Sequence, residues 1–253
     1  MTVDFTRPEQ PTAGSPLDGR HTVVIGGSSG IGLAVAEAVI RRGGRVTIGS
    51  RNKEKLAAAE QELGDAARGL VVDIGDEESV RDFFAEAGPL DHLVCSAGDI
   101  AMGPVAQIDL AQARHSMDTK FFGQLLSVRH ALPGLAADGS VVLMSGTAGW
   151  LTGPGLGVVA AANLAVHALG RVLVRELAPI RVNMVAPGVI DTPYWDPYDP
   201  AVRDQVFADA SQSNPVGRVG QPEEVAHAVM CLLENAFANG VTLPVDGGLQ
   251  LAG

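Results

Sequence analysis

The residues with the clearest chemical meaning lie at Gly26-Gly27-Ser28-Ser29-Gly30-Ile31-Gly32, where Gly26, Gly30 and Gly32 give the spacing G-x3-G-x-G. That spacing suits an anion. Glycine permits a tight turn, lets backbone N–H groups approach a pyrophosphate, and starts a helix whose N-terminal dipole faces the charge. A glycine triplet alone is weak evidence, because any strand-to-helix turn can be glycine-rich. Here it follows the apolar run HTVVIG (21–26) and opens a segment with helical spacing, IGLAVAEAVIRRGG, so the context points to a dinucleotide. Ser50 and Arg51 stand at the end of the next apolar run. A carboxylate there would accept from a ribose 2′-hydroxyl; a serine followed by a cation suits a 2′-phosphate instead. The expected cofactor is therefore NADP(H) in preference to NAD(H), with a solvated surface arginine as the plainer account of Arg51. Cys95 and Cys231 have no metal-ligand spacing and make no disulfide framework, which fits a reducing cytoplasm and no metal site.

Positioning such a turn requires a particular set of elements. Strands are predicted at 21–26, 45–50, 69–73, 91–98, 139–146, 180–188 and 241–248. Helices are predicted after Gly30 and at 52–64, 76–88, 107–132, 158–177 and 222–235. This alternation at crossover spacing predicts an α/β fold, a single-domain Rossmann-type doubly wound sandwich of about seven parallel strands with helices on both faces. The 253 residues suit one domain, and a hydrophobic share of 46% is enough for a large core. The first 18 residues, with Pro8, Pro11 and Pro16, read as a flexible tail, leaving 19–253 as the domain. The Pro- and aromatic-rich segment 191–215 breaks the rhythm and reads as a lid-like insertion. Residues 141–170 carry no charge, but Gly153, Pro154, Gly155 and Gly157 interrupt them, so a buried strand and helix explain the stretch better than a membrane span. A net charge of −11 argues against nucleic acid and anionic membranes as partners.

With these motifs in place, the chain resembles the short-chain dehydrogenase/reductase family over nearly its whole length. Asp73, followed by Ile74, resembles the family's adenine-side acid. Cys95-Ser96-Ala97-Gly98 resembles its Asn-Asn-Ala-Gly, with only Ala97 and Gly98 kept. Pro187-Gly188-Val189-Ile190-Asp191-Thr192 resembles its nicotinamide-side turn, where Thr192 would bond the carboxamide, and Asp246-Gly247-Gly248 matches its usual ending.

The resemblance also implies an Asn-Ser-Tyr-Lys tetrad, in which Tyr moves a proton and Lys lowers the Tyr pKa and binds the ribose. All four positions differ in this chain: Lys120 stands for Asn, Gly146 for Ser, Val159 for Tyr and Asn163 for Lys. An aliphatic side chain at 159 donates no proton. The exchange of Asn and Lys between two helices suggests a reciprocal swap in which the Lys120 ammonium returns to the site and Asn163 bonds the ribose; the alternative is that Lys120 faces solvent or pairs with Asp118. Tyr194 and Thr147 are candidate substitutes for the missing acid and orienting hydroxyl. Ser145, Asp99, His167 and Cys95 are weaker ones. Trp150, Leu151, Tyr194 and Trp195 are expected to wall an apolar pocket.

The sequence leaves three readings open. The chain is an NADP(H)-dependent oxidoreductase on a carbonyl-type substrate with a non-standard site, a catalytically silent NADP(H)-binding sensor or scaffold, or a non-redox enzyme on the same fold. The family resemblance implies a homodimer or homotetramer and a small-molecule ligand.

Overall fold

The computed structural model describes residues 14–252. Its centre is a seven-stranded sheet formed by β1 (His21–Ile25), β2 (Arg45–Ser50), β3 (Ala67–Val71), β4 (Leu90–Cys95), β5 (Leu135–Met144), β6 (Arg181–Pro187) and β7 (Thr242–Val245). All neighbours pair in parallel, in the order β3-β2-β1-β4-β5-β6-β7. The helices are α1 (Gly30–Ile40), α2 (Lys53–Leu63), α3 (Glu77–Ala87), α4 (Leu110–Met117), α5 (Gly123–Ala131), α6 (Gly157–Glu176), α7 (Pro200–Ser213) and α8 (Pro222–Glu234). This is the expected doubly wound α/β architecture.

The two-residue period of the strands divides their side chains between two cores. Val24, Val94, Val142 and Val185 face α1 and α8, where Val35 and Val229 meet them. Val23, Leu93, Val141 and Met184 face the other layer, with Phe83 of α3, Val128 of α5 and Val166 of α6. Each of these fully buried Val and Leu side chains contributes roughly 2 kcal/mol of transfer free energy. Both faces being covered explains why the strands read as continuous apolar runs.

Several boundaries differ from the sequence expectation for local reasons. The helix expected at 107–132 starts at Leu110, because the Asp109 carboxylate accepts from the Ala111 and Gln112 amides. It is then broken by a π turn at Asp118–Phe122. β5 begins at Leu135, not 139, because Leu90 pairs with Leu135 across a register shift. β3 occupies Ala67–Val71, ending two residues early. Of the expected tail, residues 1–13 lie outside the described residues, whereas Leu17 is fully buried and Ser15 donates to Glu234, so the folded body includes them.

The order of the strands creates the functional geometry. β1 sends its crossovers in opposite directions, to β2 on one side and, after β3, to β4 on the other. A crevice opens at the carboxyl ends of β1 and β4, where ligands of such sheets sit. The opposite end of the sheet is tied shut: Arg20 reaches Asp91 and Asp138, both at 2.6 Å, and buried His21 bridges the Pro89 carbonyl and Thr47.

Candidate functional site

The glycine turn lies at the mouth of that crevice. Gly26 and Gly30 have φ of +87° and +53°, in the left-handed region that other residues disfavour. A Cβ on Gly26 would stand 2.8 Å from the Ala97 amide, and one on Gly32 would run into the Gly26 carbonyl and Ser96 Oγ. Ser96 Oγ itself donates to the Ile25 carbonyl, locking β4 to β1. α1 starts at Gly30 with Ser29 in the cap position, and no side chain caps it. The result is an open helix N-terminus over a surface stripped of side chains, a cradle that fits a pyrophosphate. Thr192 comes to the same place, with its Cβ 3.2 Å from where a Gly30 Cβ would be. The turn that begins at Pro187 and Gly188 thus closes over the glycine loop, and Ile190, buried behind it, holds the backbone through a bridge to Gly220.

At the far end of the crevice Ser28 Oγ donates to Ser50 Oγ at 2.8 Å. Asp73 is exposed and accepts from the Gly75 amide, while buried Ile74 packs against Gly123. Arg51 does not stand free. It donates to Asp99 Oδ2 at 2.9 Å, and His115 Nε2 lies 3.0 Å from the same oxygen. Burial pushes the Asp99 carboxyl up, but the His115 bond and the Arg51 charge outweigh it and hold the group below the usual carboxylate range. The sequence offered no signal for this link, since residues 51, 99 and 115 belong to three separate elements. Asp99 is therefore more than a loop acid, and Arg51 is a half-exposed cation already shared with a carboxylate.

Of the four positions singled out by the family resemblance, Lys120 reaches the carbonyl of Ser145 beside Gly146, Gly146 lies against Asn163, and Val159 is a buried aliphatic side chain one turn before Asn163. Lys120 sits in the π turn and is 4% exposed, which rules out a solvent-facing ammonium. Its Nζ donates to the Ser145 carbonyl at 3.2 Å. Gln124 fixes the turn by donating to the Lys120 and Met144 carbonyls while accepting from the Met144 amide. Asn163 is 2% exposed, and its Oδ1 has no hydrogen-bond donor. A Cβ on Gly146 would lie 2.7 Å from Asn163 Nδ2, so a larger residue at 146 makes the Asn163 side chain shift.

The remaining candidates are engaged elsewhere. Thr147 donates to the Pro187 carbonyl and Ser145 Oγ to the Asn163 carbonyl. Tyr194 Oη bonds the Ile100 carbonyl and Tyr198, and its burial raises the phenol well above its ordinary pKa. His167 Nδ1 bonds Thr242 Oγ1 behind Trp150. Cys95 is buried and its thiol is pushed up to about 12, an inert group. Trp195, expected on the pocket wall, is instead packed inside the 191–215 segment. Its indole N–H donates to the Ile190 carbonyl and its ring meets Phe207 of α7 edge-on. Arg203 of α7 pins that segment to Asp191 at 2.8 Å.

Residues 25–250 match the family described as Enoyl-(Acyl carrier protein) reductase. The human 3-oxoacyl-[acyl-carrier-protein] reductase is 33% identical over 236 residues, covering 90% of this chain and 97% of that protein. A small-chain dehydrogenase crystallised in complex with NADPH superposes with a TM-score of 0.78 at 32% identity, over 92% of this chain and all of the other. The NADPH-bound short chain oxidoreductase from Pseudomonas aeruginosa PAO1, described as containing an atypical catalytic center, gives 0.83 at 31% identity, over 91% and 96% of the two chains.

Proposed function

The chain belongs to the short-chain dehydrogenase/reductase family, and on that premise we propose that it is an NADP(H)-dependent oxidoreductase acting on an apolar, carbonyl-type substrate through a non-standard site. The observation that carries the proposal is the side-chain-free cradle at Gly26, Gly30 and Gly32, facing an uncapped helix N-terminus. NADPH bound to two related structures supports the choice of cofactor.

In this reading the amides of Ser28–Gly32 take the pyrophosphate, Ala97 and Gly98 floor the adenosine ribose, Asp73 and Ile74 meet the adenine, and Thr192 holds the carboxamide. Asn163 Oδ1, buried without a donor, accepts from a ribose hydroxyl. Arg51 takes the 2′-phosphate, and must then be shared with or released by Asp99. The bound cofactor supplies a hydride. The chain's part is to hold the acceptor carbonyl over Gly146 and Val159, under Tyr194, and to exclude water with α7 as a lid.

A second reading is favoured by Val159 itself: with no phenol there, the protein binds NADP(H) as a silent sensor. Calorimetric titration tests what the two readings share. Micromolar NADPH binding with NADH at least about tenfold weaker, the preference vanishing in Arg51→Ala, supports the cofactor assignment. Reduction of acetoacetyl-CoA or isatin then selects the enzyme over the sensor. Absence of binding to either nucleotide overturns both. A reduced cytoplasm suits the two free cysteines, and self-association through α6 completes the proposal.

A further inference from the structure

Reducing a carbonyl takes a proton as well as a hydride; naming the group that gives it rests on the proposed oxidoreductase reading and deepens it. The other candidate hydroxyls and the candidate acid are committed: Tyr194, Thr147 and Ser145 donate to backbone carbonyls, and Asp99 is held ionised by His115 and Arg51. Lys120 is not. Its stem crosses the end of β4 so closely that a Cβ on Gly98 would lie 2.8 Å from Lys120 Cδ. Its ammonium has three donors and one protein acceptor, the Ser145 carbonyl. Among the described residues no carboxylate lies within ion-pair distance of it. Across the Ser145–Gly146 segment, Asn163 Oδ1 has no donor. The buried ammonium thus keeps unspent donors and the buried amide oxygen lacks one, polar groups that the protein alone leaves unmatched. The π turn that carries Lys120 is a form of helix that recurs at functional sites.

We propose that Lys120 is the proton donor of this site, delivering an Nζ proton to the oxygen of a ketone as a reduced nicotinamide supplies the hydride. The hydride pair forms the new C–H bond, and the C=O π pair moves onto oxygen. That oxygen takes the proton from Nζ, whose N–H pair remains as the lone pair of a neutral amine, and water restores the ammonium. Oxidation of an alcohol runs the same steps backwards, with the neutral amine as base.

Burial brings Lys120 down to about 8, so the group is charged at neutral pH yet able to release its proton. The titratable groups around it are Cys95 at the end of β4, Asp99 in the loop that follows, His115 on α4 and Asp118 beside it in the π turn. β5 and α6 present Ser145 and Asn163 there, which do not titrate. Asp99 and His115 are bound to each other.

The chain has three lysines, and Lys53 and Lys55 are exposed on α2, so lysine isotope-labelled at Cε gives three resolvable NMR signals. The signal lost in Lys120→Met should titrate near pH 8 and move on addition of NADP+, while the α2 signals stay in place. With acetoacetyl-CoA as the ketone, Lys120→Met and Lys120→Arg should both lower kcat at least about a hundredfold and change the calorimetric NADPH affinity less than about threefold. Arginine keeps the charge but cannot give up a proton. A Lys120 signal titrating above about pH 10 or indifferent to NADP+, or a Lys120→Arg enzyme with wild-type kcat, overturns the inference. The NMR titration decides on the wild type alone if the variants fail to fold. Failure of the wild type to bind NADPH overturns the oxidoreductase reading itself. Binding with a silent Lys120 signal overturns only this step.

Discussion

Lys120 is a costly residue for the folded chain. Its ordinary pKa of 10.5 falls to about 8 because burial disfavours the ammonium, so the unfolded chain holds that proton more tightly. Between those values the unfolded state binds more protons, and stability rises with pH. The penalty is therefore full below pH 8, shrinks as pH rises from 8 to 10.5, and is gone above. Lys120→Met keeps the stem and removes the charge. It should stabilise the protein at pH 7 by roughly 3 kcal/mol, and the gain should disappear by about pH 10.5. Urea denaturation of both proteins at the two pH values checks this; an equal gain at both would assign the effect to packing instead of charge. A group that destabilises the fold by that much is the kind a functional site retains. The same scale shows a constraint on any attempt to rebuild the family's usual residues. Serine at 146 brings its Cβ against the Asn163 amide, so the effects of changing Gly146 and Asn163 should be coupled.

At the scale of elements, the site depends on how β1 hands over to α1. A methyl on Gly32 meets the Gly26 carbonyl, which is backbone and cannot swing aside. Gly32→Ala should lower NADPH affinity at least about a hundredfold, or about 3 kcal/mol, measured by calorimetry on protein whose circular dichroism is unchanged. Unaltered affinity would disprove the cradle. This handover is legible in the residues, because a β-rich run, three glycines and a helical pattern stand in unbroken succession. The strand and helix alternation is equally plain, since HTVVI, HLVC and VVLM have two covered faces and need no polar alternation. Other features leave no mark. A π turn adds one residue to a helix without altering its composition, so DTKFF reads as ordinary helix. The start of β5 comes from pairing with Leu90 across a register shift, a tertiary fact. The Arg51–Asp99–His115 link joins a strand end, a loop and a helix that only the sheet order brings together. Trp195 reads as a pocket wall in the sequence because aromatic residues beside a turn suit either wall or packing, and the Ile190 carbonyl decides for packing.

The whole molecule is asymmetric along its strands. Arg20, Asp91, Asp138 and His21 close one end, while the open end carries the glycine loop, Lys120 and Asn163. Its sides are unequal too. α6 buries Val166, Gly170 and Leu173 against the sheet, but leaves Leu164 and Val172 42% and 53% exposed on the opposite face, with Phe122 at 47% nearby. Apolar exposure at such spacing fits a self-complementary helix interface. Leu164→Asp combined with Val172→Asp should halve the mass seen by light scattering while sparing NADPH binding. Because each copy carries −11, added salt should strengthen the association of the wild type; association that weakens with salt would locate the interface on charged surface instead. The packing of the 191–215 segment also gives the molecule an optical signal. There are two tryptophans, and Trp195 is the buried one, enclosed by Tyr194, Tyr198 and Phe207, whereas Trp150 is 37% exposed. Blue-shifted emission from Trp195 thus reports its enclosure, and a Trp150→Phe chain keeps a single tryptophan whose colour would report any displacement of α7 without an attached dye.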